Sequence, residues 1–365
     1  MKDPRIKQLA KNLLNYSVKV KKGETVIIEA SARAVDLVVE LVKQTYEIGA
    51  YPLVRLGDST VTREILMGMT DTLAKKMCKY ALPMFEEADA YIGVSSSRNA
   101  FETADVPPEN KKVYTKHYGK PIHIETRVAK GRWVILHYPN RALAQSAQTS
   151  LEAFEDFCFD VCTMDYAKMH EAMLPLKALM ERTDRVRITA KDTELNFSIK
   201  GQPAKICSGE CNIPDGEIYT SPLRTSMNGK IRFNTSSTRS GNIHNDIRLE
   251  FKDGKVIEAT SSNTDALLHE IDSDEGARYL GEFAFGVNPF IKKPMNDTLF
   301  DEKIGGSIHF ALGNSYDDCP NGNHSQIHWD IVLLGKGCEI YFDDVLIRKD
   351  GKFVLPELQG LENLK

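Results

Sequence analysis

The chain has 365 residues, 42% of them hydrophobic and 27% charged; 47 Lys and Arg face 51 Asp and Glu, a formal net charge of −4. At about 150 residues per domain this length points to two domains, each long enough to bury a core. The slightly acidic balance argues against a nucleic-acid binder, and the lack of any run of about 18 apolar residues argues against a membrane-spanning helix.

The first half alternates helical and strand patterns. Ile6, Leu9, Leu13 and Leu14 recur at helical spacing, and Thr25–Ile28 reads as a buried strand. Residues 34–48 read as a helix that stops at Gly49. A strand is expected at 52–56, a helix at 73–80, and strands at 90–94 and 133–136. Strands separated by helices imply parallel βαβ units. Residues 146–181 are helical in pattern almost throughout. Beyond them, 185–189, 195–199 and 247–251 alternate apolar and polar residues, and Asp253-Gly254 and Asp350-Gly351 look like hairpin turns. The expected architecture is an α/β N-terminal domain with a mainly parallel sheet over 1–182. A mainly antiparallel, barrel-like α+β C-terminal domain follows over 183–365.

Standard motifs are missing: no GxGxxG, no GxxxxGK[ST], no GxSxG and no HExxH. Seven cysteines and a charged start, Met1 to Gln8, without an apolar h-region lead us to expect reduced thiols and a cytoplasmic protein. Cys158/Cys162 and Cys207/Cys211 do not have the usual zinc spacing, and the first pair reads as helix core.

Hard ligands collect late in the chain. Five of nine His lie between 244 and 328. His328 and Asp330 are two apart in a strand-like run, so they share a face and could ligate one ion, or could simply form an exposed polar edge. His309 sits in a glycine-flanked apolar strand, where a packed core histidine is also expected. Glu217 opens a strand after the Pro214-Asp215-Gly216 turn. Glu282 is a lone carboxylate among apolar and aromatic neighbours, and if ionised it needs a partner or a metal. Tyr316 lies in a polar loop after Gly313. His324 is placed as a loop residue near the site; His244 and His269 have no constellation around them.

The segments 214–222, 280–282, 288–289, 301–316 and 327–330, together with 13–24, resemble in their order the aminopeptidase T/AmpS/PepS group of dinuclear metallo-aminopeptidases (thermophilic metalloprotease-like). The resemblance implies two divalent ions (Zn, Co or Mn) on Glu217, Glu282, His309, Tyr316, His328 and Asp330. It also implies a homodimer enclosing a cavity, and peptide substrates with a free N-terminus. The chain is shorter than members of that group, which leaves the loops around the cavity open.

A metal pair can lower the pKa of a shared water and polarise a carbonyl. Glu282 is then expected to bridge the ions or shuttle the water's proton, and Tyr316 to steady the oxyanion. Glu302 is a second general-base candidate, though its Asp-Glu-Lys triplet also reads as surface charge. The expected function is a metal-dependent aminopeptidase. The alternatives are a single-iron ring-cleaving dioxygenase on the same fold and an inactive binding module.

Overall fold

The computed structural model describes residues 3–364. The chain forms two compact units, 1–164 with 209–214, and 165–208 with 215–365.

The first unit is built on a parallel sheet of β1 (Thr25–Ser31), β2 (Tyr51–Gly57), β3 (Ala90–Ser95) and β4 (Trp133–His137), in the order β2-β1-β3-β4. Asn212–Ile213 pairs in parallel beyond β4 as a fifth strand. Val26, Ile27, Ile28, Ile92, Val94, Val134 and Leu136 are buried, as continuous apolar runs in a parallel sheet must be. In chain order the helices are α1 (Pro4–Asn12), α2 (Val35–Ile48), α3 (Ser59–Met67), α4 (Asp71–Glu87), α5 (Pro108–Tyr114), α6 (Arg141–Ser146) and α7 (Leu151–Thr163). Gly49 ends α2 at φ +80°, donating to the carbonyls of Thr45 and Tyr46, a left-handed cap that glycine adopts without a Cβ penalty. A wide helix over Thr115–Val128 was not legible in the sequence; Gly119 and Pro121 interrupt its pattern.

α8 (Tyr166–Arg182) belongs to the second unit, so the division falls at Met164/Asp165, ahead of the expected 182. Two antiparallel sheets dominate this unit. One has eight strands; the other orders five as 328–334, 307–313, 280–286, 217–220 and 205–207. Both sheets are open, and no closed barrel forms among the described residues. Asp253-Gly254 and Asp350-Gly351 turn the two expected hairpins. The sheets meet through aromatic rings: Phe197 of the larger sheet lies 5.0 Å from Phe283 and 5.7 Å from Phe310 of the smaller. Phe283 and Phe310 stack at 5.2 Å.

Candidate metal centre

Strand periodicity fixes which side chains look away from that aromatic core. Phe283 pairs with Phe310 and with Thr220; Ala284 pairs with His309 and with Tyr219. His309 pairs with Val332, Ala311 with Asp330, and Gly313 with His328. Side chains alternate between faces along a strand. Glu217, Glu282, His309, His328 and Asp330 therefore all project from the face opposite the phenylalanines, across four neighbouring strands. The pairing shifts register between Leu280 and Glu282, a bulge that re-aims the carboxylate. Gly281 is needed there, because a Cβ would stand 2.1 Å from the Asn314 carbonyl oxygen.

Glu282 lies between the two imidazoles. Its Oε1 is 3.1 Å from His309 Nε2 and its Oε2 is 3.5 Å from His328 Nε2. His309 Nε2 is also 3.3 Å from Glu217 Oε2, and His328 Nε2 is 3.5 Å from Asp330 Oδ1. His328 donates through Nδ1 to the Asn314 carbonyl at 2.9 Å, which turns Nε2 towards the carboxylates. Donor atoms within 4.8 Å of one another group as Glu217, Glu302 and His309, and as Glu282, His328 and Asp330.

In the charged triplet 301–303, Asp301 and Lys303 are buried and Glu302 is half-buried. Lys303 is 1% exposed; its Nζ donates to Glu217 Oε1 at 3.0 Å and to Glu302 Oε2. Burial opposes the charge on Lys303, but Glu217 and Glu302 hold it well above its ordinary value. Burial pushes Glu302 up to about 8, against the pull of Lys303. Burial likewise resists protonation of His309, yet its hydrogen bond to Glu282 and the charge of Glu217 raise it to about 9. His328 rises to about 10, because Asp330 and Glu282 outweigh its burial. Asp330 falls to about 2, since His328 overcomes the cost of its own burial.

Several acidic groups thus share one largely buried face, and among the described residues the imidazoles of His309 and His328 and the Lys303 ammonium stand against them. Divalent ions would replace those imidazole protons with stronger positive charge. Glu217 Oε2 is buried without a hydrogen-bond partner among the described residues, so unused acceptor capacity exists where such an ion would bind. The donor set of imidazole and carboxylate suits Zn, Co or Mn.

Of the expected site residues, Tyr316 is brought in by its ring, 4.7 Å from His328 and 5.6 Å from Tyr219. The residue is exposed overall, yet desolvation around its phenol and the carboxylates of Glu282, Asp330, Glu302 and Glu217 hold the phenol proton on. His324 is exposed and joins neither donor group. Cys158 and Cys162 are buried on α7 with their sulfurs 3.9 Å apart, as packed helix core. Two groups escaped sequence reasoning. Cys207 and Asp215 form a third donor group with Glu217, and Lys303 is the ammonium inside the site. The turn chemistry of Pro214-Asp215-Gly216 hid the aspartate, whose backbone N–H donates to the Tyr166 hydroxyl oxygen at 3.0 Å.

A family model described as thermophilic metalloprotease (M29) matches residues 2–353. The chain belongs to this family. It is therefore a metallopeptidase, a hydrolase. Aminopeptidase PepS of Streptococcus thermophilus is 24% identical, over 90% of this chain and 91% of the relative. Aminopeptidase T of Thermus thermophilus is 26% identical, over 88% of this chain and 87% of the relative. The solved structure of wild-type AmpT from Thermus thermophilus superposes with a TM-score of 0.81 at 22% identity, covering 96% of this chain and 99% of that one. This likeness shows the fold, an α/β unit with a parallel sheet joined to antiparallel sheets. The dioxygenase alternative finds no support in these matches. No helix among the described residues is long and apolar enough to cross a membrane.

Proposed function

We propose that the protein is an aminopeptidase that removes N-terminal residues from peptides with a free amine, using two divalent ions held on the polar face of the smaller sheet. The reading rests on one observation above all: the Glu282 carboxylate offers one oxygen towards each of two histidines, and each histidine belongs to its own donor group. Carboxylates suit a bridging position because two oxygens can reach two cations. In this reading Glu217 and His309 serve one ion, and His328 and Asp330 the other, with Tyr316 beside the second. The ions, when bound, would lower the pKa of a water and polarise the scissile carbonyl.

The protein's own groups complete the chemistry. Glu302, half-buried and raised to about 8, holds a proton more tightly than an ordinary carboxylate, and once ionised it is the stronger base towards a water. Glu282 is already committed between the imidazoles, which favours Glu302 as the base. Lys303 holds Glu302 and Glu217 in place through its two hydrogen bonds. The Tyr316 phenol keeps its proton and can donate to the oxyanion of the attacked carbonyl. The relatives' names carry the choice of aminopeptidase over other peptidases, and we extend the homodimer and cytoplasmic location implied by the resemblance to this chain as part of the proposal.

The test is release of the first residue from a peptide offered with a free amine and as its N-acetyl form. Chelator-sensitive release from the free-amine peptide alone is expected. Equal cleavage of both forms, or release indifferent to chelator, would contradict the reading.

A further inference from the structure

The parallel sheet of the first unit has a feature that peptide hydrolysis does not use. From β1 the chain passes through α2 to β2 on one side, then returns through α3 and α4 to β3 on the other side of β1. β1 and β3 are thus neighbours at the point where the winding reverses. Open α/β sheets form a crevice there, beyond the carboxyl ends of the strands, and ligands bind in it.

A cavity of about 450 Å³ occupies this edge. Its lining follows directly on three strand ends: Arg33 after β1, Ser96, Ser97 and Arg98 after β3, and Pro139, Asn140 and Arg141 after β4. Leu151 and Glu155 of α7 close it. The floor is tied down by hydrogen bonds. Buried Asn140 donates from Nδ2 to Ser96 Oγ at 3.2 Å and to the Tyr138 carbonyl at 3.1 Å, and Ser31 Oγ donates to the Ser96 carbonyl at 2.6 Å. The three arginines are exposed around it. Among the described residues none of them forms an ion pair; Asp58, the cap of α3, is held below its ordinary value first by the Thr60 amide and also by the charges of Arg98 and Arg33. Glu155 is the one carboxylate in the lining.

We propose that this crevice binds the dianionic phosphate group of a small hydroxylated phosphate ester, with Arg33, Arg98 and Arg141 taking the phosphate oxygens and Glu155 accepting from a ligand hydroxyl. Guanidinium forks match phosphate oxygens in pairs, and three of them exceed what one carboxylate can use. Glu155 would repel a bare anion, so the ligand must bring a donor of its own. The volume lies within the range of small-molecule sites, about 300–1,000 Å³. The absence of a glycine-rich phosphate loop in the sequence fits a site built from side chains and not from backbone amides.

Isothermal titration of the metal-loaded protein with glycerol 3-phosphate, adenosine 5′-monophosphate, inorganic phosphate and glycerol tests this. Saturable binding of at least one ester is expected, several-fold tighter than inorganic phosphate, and none of glycerol. Affinity should fall about tenfold for each of Arg33→Gln, Arg98→Gln and Arg141→Gln. Glu155→Gln should tighten inorganic phosphate and shrink the preference for the ester. These side chains are exposed or half-buried, and far-UV circular dichroism checks that each variant folds. No saturable binding of either ester would overturn the proposal. So would ester binding that survives the triple arginine variant, as phosphate on the metal ions would, or inorganic phosphate matching the esters in the unsubstituted protein.

Discussion

Lys303 Nζ lies 3.0 Å from Glu217 Oε1, and both side chains are buried. A buried ammonium is costly unless its partners are close, and a buried carboxylate stripped of its cation costs more than the pair ever gained. Lys303→Met leaves Glu217 and Glu302 facing each other without their shared cation. In chelator-treated protein the expected loss of stability is about 3–5 kcal/mol, read by urea unfolding. Metal-loaded protein should lose less, because the ions supply positive charge to the same carboxylates. A variant as stable as the parent in chelator would show that the pair carries no such weight.

Glu282→Gln keeps the shape of the side chain and removes its charge. The amide cannot offer an anionic oxygen to both histidine-centred donor groups. Activity on a free-amine peptide is expected to fall by a factor of about 1,000 or more, as for loss of a group that acts in the transition state, with metal content falling in parallel. Unaltered turnover at full metal content would remove Glu282 from the mechanism.

Gly281→Ala tests the bulge that aims Glu282. The new Cβ would stand 2.1 Å from the Asn314 carbonyl oxygen, the same residue whose carbonyl orients His328. Backbone must move, at a cost of about 1–3 kcal/mol, and activity should drop although no donor atom has changed. Thermal unfolding and peptide turnover measured together check this; a variant matching the parent in both would mean the strand tolerates the added methyl.

In the first unit, Arg132 donates to Glu24 at 2.7 and 2.8 Å and to the carbonyls of Val18 and Lys19, joining two loops before β1 and β4. The hydrogen bond from Arg132 holds Glu24 below its ordinary value of 4.5 despite partial burial. A carboxylate with a lowered folded-state pKa adds stability above its unfolded pKa and loses it as pH falls through the folded one. Glu24→Gln is therefore expected to cost about 1 kcal/mol at pH 7, and less at a pH well below 4.5. Unfolding curves at the two pH values decide it, and an equal cost at both would contradict the assignment.

Much of the site was legible because strands alternate strictly. Once His328 and Asp330 were placed on one face of a strand, and His309, Glu282 and Glu217 on strands of their own, only the pairing order was missing. The register of four neighbouring strands supplied it. Asp301-Glu302-Lys303 resisted the same treatment, since three consecutive charges in sequence look like a solvated turn. Their burial follows from the short helix Thr298–Asp301 and the return to the 307–313 strand, which are tertiary facts. The strand Asn212–Ile213 was equally hidden, because two residues carry no periodicity, yet it extends the parallel sheet of the first unit.

The two-ion centre is tested most directly by the number of ions per chain. Metal quantification on purified protein, followed by titration of chelator-stripped protein with Zn, Co or Mn, is expected to give two ions per chain, with peptidase activity returning as the sites fill. A single ion per chain at full activity would contradict the two-ion centre built around Glu282.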